Sequence, residues 1–170
     1  MIIQESGMVF PVEEDNTFII EKSESVLKRD LKSVEYVERR KWGNKVTLRF
    51  LEAKSSSPNA TNKDDYDKYI SEIREKFQNS ISIMFSSLSG RKGMEDVYNE
   101  LPQGINTLKV KTIDECGLCL VVKNSKEEWL VPVMESLKKE LKSIMRCWNI
   151  PDKNLKVLNE EDARAQKIIS

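Results

Sequence analysis

The chain contains no histidine. This absence removes every triad or phosphodiester mechanism that uses an imidazole as base, and it removes the commonest protein ligand of transition metals. Cysteine is scarce and odd in number: Cys116, Cys119 and Cys147. One CxxC pair with a single distant cysteine makes no credible zinc site. It reads instead as two small buried hydrophobes in a reducing, cytoplasmic setting. Long apolar runs are missing as well, so no membrane-crossing helix is expected. The opening residues, MIIQESGMVF, lack the basic-then-apolar order of a secretory signal. Nor does either sign of charge predominate, because 28 Lys and Arg balance 28 Asp and Glu. A dedicated nucleic-acid binder usually carries a basic excess or a basic face. Any catalysis must therefore rest on Asp, Glu, Lys, Tyr, Cys or a bound metal.

What remains is the composition of an ordinary globular protein. The 170 residues are 39% hydrophobic and 33% charged, enough to bury a core within one domain spanning residues 1–170. Charge is unevenly spread. Glu5, Glu13, Glu14, Asp15, Glu21 and Glu24 face only Lys22 over the first 27 residues. The next 22 carry Lys28, Arg29, Lys32, Arg39, Arg40, Lys41, Lys45 and Arg49 against Asp30, Glu35 and Glu38. That asymmetry fits either a phosphate-binding face beside an acidic site or the ordinary surface of a helix and a hairpin.

Periodicity predicts the elements. Thr17–Ile20 is a short strand and Ser23–Leu31 a helical turn capped by Ser23 or Ser25. Val34–Arg40 and Lys45–Ala53 form a hairpin around Trp42-Gly43-Asn44. The second of these strands, nearly all apolar toward its end, suits a position covered on both faces. A helix over residues 63–88 follows from Tyr66, Tyr69, Ile70, Ile73, Phe77, Ile81, Met84 and Leu88 at spacings of three and four. A short helical piece precedes Pro102. Ile105–Ile113 and Leu118–Asn124 read as two more strands, with a long helix over residues 127–148 that tolerates Pro132 in its first turns. Leu155–Leu158 reads as an edge strand and Glu161–Ile169 as a closing helix. Strands and helices in this order predict an α/β sandwich with a central mixed sheet flanked by helices.

Lys45–Ser57, KVTLRFLEAKSSS, carries the most chemical information. Three acid-x-Lys triplets occur: Asp30-Leu31-Lys32, Glu52-Ala53-Lys54 and Glu140-Leu141-Lys142. Only Glu52-Ala53-Lys54 ends an apolar strand, where spacing i, i+2 puts both side chains on one face. Glu35 can meet them across the hairpin, and Glu21 can join from the preceding strand end. Carboxylates on a rigid sheet suit hard divalent cations, and a neighbouring lysine suits the charge that develops on a phosphate under attack. The alternative for the pair is a strand that simply emerges into water.

The stretch from Glu21 through Ser56 resembles the PD-(D/E)XK superfamily, the restriction-endonuclease-like nucleases. It is similar in particular to small bacterial or phage-associated members with a strand acid and an EAKSS element. The sequence Ser33-Val34-Glu35 stands where that family usually has Pro-Asp before the first acid. The resemblance implies a restriction-endonuclease-like α/β fold and Mg²⁺- or Mn²⁺-dependent cleavage of DNA or RNA. It gives Glu35, Glu52 and Lys54 catalytic roles. Glu21, Glu35, Glu52 and the main-chain carbonyl of Ala53 are the implied metal ligands. It also leaves room for a homodimer, or for an accessory protein of the same fold without turnover, in a phage or defence setting and bound to a protein partner. A nucleic-acid-binding module without chemistry is the third expectation. Trp42, at the hairpin tip, either stacks a base or covers a neighbouring element.

Overall fold

The computed structural model describes all 170 residues, Met1–Ser170. The chain opens with an antiparallel hairpin, β1 (Ile2–Glu5) and β2 (Met8–Pro11). Ser6 and Gly7 turn it at φ of 51° and 72°, the positive-φ pair that matches strand twist in a two-residue turn. A two-residue strand β3 (Thr17–Phe18), a 3-10 turn at Ile20–Lys22 and a short helix α1 (Glu24–Leu27) follow. Ser23 caps α1 by accepting the Val26 N–H at its hydroxyl. Next come β4 (Tyr36–Trp42), β5 (Lys45–Lys54), the long helix α2 (Lys63–Leu88) and two short helices, α3 (Glu95–Glu100) and α4 (Gln103–Asn106). The chain closes through β6 (Glu115–Val122), α5 (Glu127–Cys147), β7 (Leu155–Leu158) and α6 (Glu160–Ala165).

Five strands form one mixed sheet in the order β3-β4-β5-β6-β7. The first two pairings are antiparallel and the last two parallel. Each parallel pairing needs a crossover connection, and α2 and α5 supply them. Both helices pack on one face, where Phe50, Leu118 and Leu120 meet Phe77, Ile81 and Leu137 in the larger core. The other face is covered over part of its area by the β1–β2 hairpin and the C-terminal segment, with Phe10, Ile168 and Ile169 over Tyr36, Leu51 and Val121. Thus β5 is buried on both sides toward its C-terminal end, as its run of apolar residues requires. The architecture is an α/β sandwich with a central mixed sheet flanked by α2, α5 and α6. None of its helices is long and apolar enough to cross a membrane.

One expected strand is absent. Residues 105–113 contain the end of α4 and a 3-10 turn at Val110–Thr112. Pro102 fixes the start of the helical turn, and Ile105 and Leu108, three apart, bury on its inner side while Lys109 and Lys111 face water. The true strand begins at Glu115, earlier than the expected Leu118. The helical turn after Ser23 is also shorter than expected, and Asp30 already stands in the left-handed region at φ 52°. The β1–β2 hairpin is an element that the periodicity reading did not provide.

Candidate metal centre

The hairpin register assembles the first half of the site. Tyr36 pairs with Leu51, so one step further Glu35 lies across from Glu52, on the sheet face that α2 covers. Glu52 is completely buried, and Glu35 is 5% exposed. Lys54 shares their face two residues along β5. The segment entering β4 is pinned to α2, because the Val34 N–H donates to the buried Ser80 hydroxyl at 2.9 Å. That bond fixes the backbone next to Glu35.

Helix α2 completes this half with Tyr69, Glu72 and Lys76, whose spacing of three and four places them on one side. Lys76 Nζ donates to Glu52 Oε1 at 2.7 Å and lies 3.8 Å from Glu35 Oε1. Lys54 Nζ sits 3.3 Å from the same Glu52 oxygen and donates to Glu72 Oε1 at 2.8 Å. The second carboxylate oxygens of Glu35 and Glu52 are buried without any hydrogen-bond partner, as is the Tyr69 hydroxyl.

The N-terminal hairpin brings the other half. Glu5, at the end of β1, Glu21, in the 3-10 turn, and Glu35 each offer a carboxylate oxygen, all within 4.8 Å of one another. The hairpin is held against the sheet by two bonds. The Ser6 hydroxyl donates to the Ala53 carbonyl at 3.1 Å, and Lys123 Nζ donates to the Gly7 carbonyl at 2.9 Å. Glu35 belongs to both halves.

Crowded carboxylates away from water resist ionisation together. Burial, first of all, pushes Glu35 up to about 9; the neighbouring Glu21 carboxyl and the charge of Glu52 add to this, and Lys76 offsets part. Burial also raises Glu52 against the opposing pull of Lys76 and Lys54. For Lys54, burial works to lower the ammonium, but Glu72 and Glu52 outweigh it and hold it above its ordinary value. Glu72 is lowered, chiefly by its bond to Lys54. Tyr69 is raised by burial and then by the charges of Glu52 and Glu72, so it remains a phenol. Without a cation, Glu35 keeps its proton at neutral pH while Lys54 stays charged.

The donor set suits a hard divalent ion. Carboxylate oxygens are its preferred ligands, three converge here, and the orphaned Glu35 Oε2 lacks the partner that a buried polar atom requires. The cluster of Glu5, Glu21 and Glu35 can therefore coordinate a metal ion.

The sequence-predicted residues divide between the two halves. Glu21 and Glu35 meet in the acid trio, and Glu35, Glu52 and Lys54 meet in the buried network. Glu52, however, is engaged by two lysines and is not one of the three mutually close carboxylates. The Ala53 carbonyl accepts the Ser6 hydroxyl. Sequence reasoning missed Glu5, Glu72 and Lys76. The Ser6-Gly7 turn between alternating apolar residues was a usable signal for the strand that carries Glu5. Lys76 and Glu72 look, in sequence, like any charged helix face. Other features settle into structural roles. Cys116 and Cys119 are buried free thiols, Tyr66 bonds Ser136 at 3.0 Å between α2 and α5, and Trp148 stacks on Phe85 at 4.1 Å. Trp42 covers no neighbour and is 87% exposed.

Comparison of the chain with protein-family models, with curated proteins and with solved structures yields no match.

Proposed function

We propose that the protein is a divalent-metal-dependent phosphodiester hydrolase of the restriction-endonuclease-like type, acting on DNA or RNA in the cytoplasm. The observation that carries this reading is one buried carboxylate, Glu35, shared by an acid trio and by a lysine–glutamate network. Glu5, Glu21 and Glu35 would hold Mg²⁺ or Mn²⁺. When bound, the ion would neutralise phosphate charge and make a coordinated water more acidic. Lys54, kept cationic by Glu72 and Glu52, would meet the negative charge that builds on the phosphoryl oxygens. It would not serve as a base, since its proton is held too tightly. The free Oε2 of Glu52 is the acceptor available for the water proton, and a carboxylate raised by burial is better suited to that task than an exposed one. Lys76 would hold Glu52 in position through its 2.7 Å bond.

The test is Mn²⁺ calorimetry on the wild type, Glu35→Gln and Glu52→Gln, followed by incubation of each with single- and double-stranded DNA and RNA. The expected result is ion binding that Glu35→Gln abolishes, and cleavage that both substitutions abolish. The absence of ion binding in the wild type would overturn the reading. The tight Lys76–Glu52 pair favours a second reading, a catalytically silent accessory protein of the same fold, alone or as a homodimer. Ion binding without cleavage of any of the four nucleic acids would select it.

A further inference from the structure

The sheet face opposite α2 is only half covered. Along it run Tyr36, Glu38, Arg40 and Trp42 of β4, paired with Leu51, Arg49, Thr47 and Lys45 of β5. Phe10 and the C-terminal isoleucines lie over the Tyr36–Leu51 end. Beyond that cover the face opens into two adjoining recesses of about 680 and 430 Å³, which share Arg40, Lys41 and Arg49 as lining. Lys167 lines the first, and Lys156 and Trp42 line the second.

The side chains lining the recesses lean basic in a protein whose total is zero, with Arg40, Arg49, Lys156 and Lys167 against Glu13, Glu38 and Glu115. Lys156 and Lys167 have no carboxylate within 4.0 Å, although Lys156 donates to the Gln166 amide oxygen at 2.6 Å, and Arg40 reaches only a distant 3.7 Å pair with Glu38. Glu38 is itself buried and bridged by Arg49. Glu115, at the rim, is taken by Lys45 at 3.4 Å. Unpaired cations repel one another across a shared groove, an arrangement that an extended polyanion would relieve. At the same rim stands the indole of Trp42, the most exposed large hydrophobic side chain of the molecule at 87%. A basic groove with a free aromatic platform is how single strands are gripped, with the backbone following the cations and a base stacking on the ring. A duplex, whose bases are already stacked, has no use for the indole.

We infer that the groove between the β4–β5 hairpin and the C-terminal segment binds single-stranded nucleic acid, with Arg40, Lys156 and Lys167 along the phosphates and Trp42 stacked on a base. The groove lies on the opposite sheet face from Glu52 and needs no metal, so it would act as a holding site for the strand rather than as the place of chemistry. It shares with the hydrolase reading only the class of polymer.

The experiment is fluorescence anisotropy of labelled thymidine and uridine oligonucleotides in EDTA, on full-length Glu35→Gln protein so that no cleavage intrudes. Binding is expected to weaken with salt, with a log–log slope of about −0.7 for each engaged cation. The double variant Lys156→Ala, Lys167→Ala changes only exposed side chains, and should flatten the slope by about 1.4. Trp42→Leu should weaken binding about tenfold while leaving the slope unchanged, and bound oligonucleotide should quench tryptophan emission in the parent but much less in this variant. Affinity unmoved by these substitutions would overturn the inference, as would equal affinity for duplex, or capture by phosphatidylserine vesicles but not by oligonucleotides. Oligonucleotide binding without any Mn²⁺ uptake would uphold the groove and remove the hydrolase. Mn²⁺-dependent cleavage with binding indifferent to the groove variants would do the reverse.

Discussion

At the scale of the residue, Glu35 is where the functional and structural demands collide. Its carboxyl is pushed up to about 9 by burial and neighbouring acids, whereas an unfolded chain would release the proton near 4.5. The folded state therefore binds more protons than the unfolded one throughout that interval, and stability must fall as pH rises across it. Metal-free protein should accordingly lose melting temperature steadily between pH 5 and 9. Glu35→Gln should flatten that decline and melt higher than the parent at pH 8, by about 2–4 °C for each kcal/mol recovered. Scanning calorimetry across the pH series checks both, and a parent that grows more stable toward pH 9 would contradict the assignment. The thiols make a separate residue-scale test. Burial pushes Cys116 up to about 12 and Cys119 to about 11, while Cys147 is exposed. Native protein should react with an alkylating reagent at Cys147 alone, and at all three cysteines once unfolded. Mass spectrometry after brief labelling reads this directly.

At the scale of the element, the joint between α2 and the segment entering β4 deserves the sharpest test. Ser80→Ala leaves the buried Val34 N–H without its 2.9 Å acceptor. An orphaned buried donor costs about 1–3 kcal/mol. Urea unfolding should show a loss of that size, and Mn²⁺ affinity should drop as Glu35 loosens. Unchanged stability would mean that the backbone finds another partner. Elements also show how much the sequence discloses. The β4–β5 hairpin, α2 and α5 were legible because Trp42-Gly43-Asn44 and long 3.6-residue periodicities are local signals. Residues 105–113 misled because Ile105, Leu108, Val110 and Ile113 supply β-branched and apolar residues without strict alternation. The proline-started turn decided their conformation. Glu35, Glu52 and Lys54 were readable from strand ends, since register alone brings them to one face. Lys76 was not, because its approach to Glu52 depends on where α2 crosses the sheet, a tertiary fact that the helix's own pattern does not contain. Glu5 was hidden for a milder reason: Ser6-Gly7 is a modest hairpin signal and each flanking strand has four residues.

At the scale of the whole molecule, two cores share one sheet. The larger lies under α2 and α5, the smaller under the N-terminal hairpin and the C-terminal segment, and β4, β5 and β6 contribute to both. The two layers share the β4, β5 and β6 strands, and the β1–β2 hairpin packs only against this shared sheet, so the layers should unfold together. Tryptophan fluorescence and far-ultraviolet circular dichroism should trace a single coincident urea transition. Two separated transitions would show that the smaller layer is an independent unit. The same arrangement explains the site. Glu5 and Glu21 arrive from the N-terminal segments, Glu35, Glu52 and Lys54 from the sheet, and Lys76 from α2, so the centre exists only when all three parts are assembled. The most direct measurement of this account is anomalous diffraction at the manganese edge from crystals soaked in Mn²⁺. One strong peak is expected at about 2–2.5 Å from carboxylate oxygens of Glu5, Glu21 and Glu35. No peak there, or a peak held only by other residues, would contradict it.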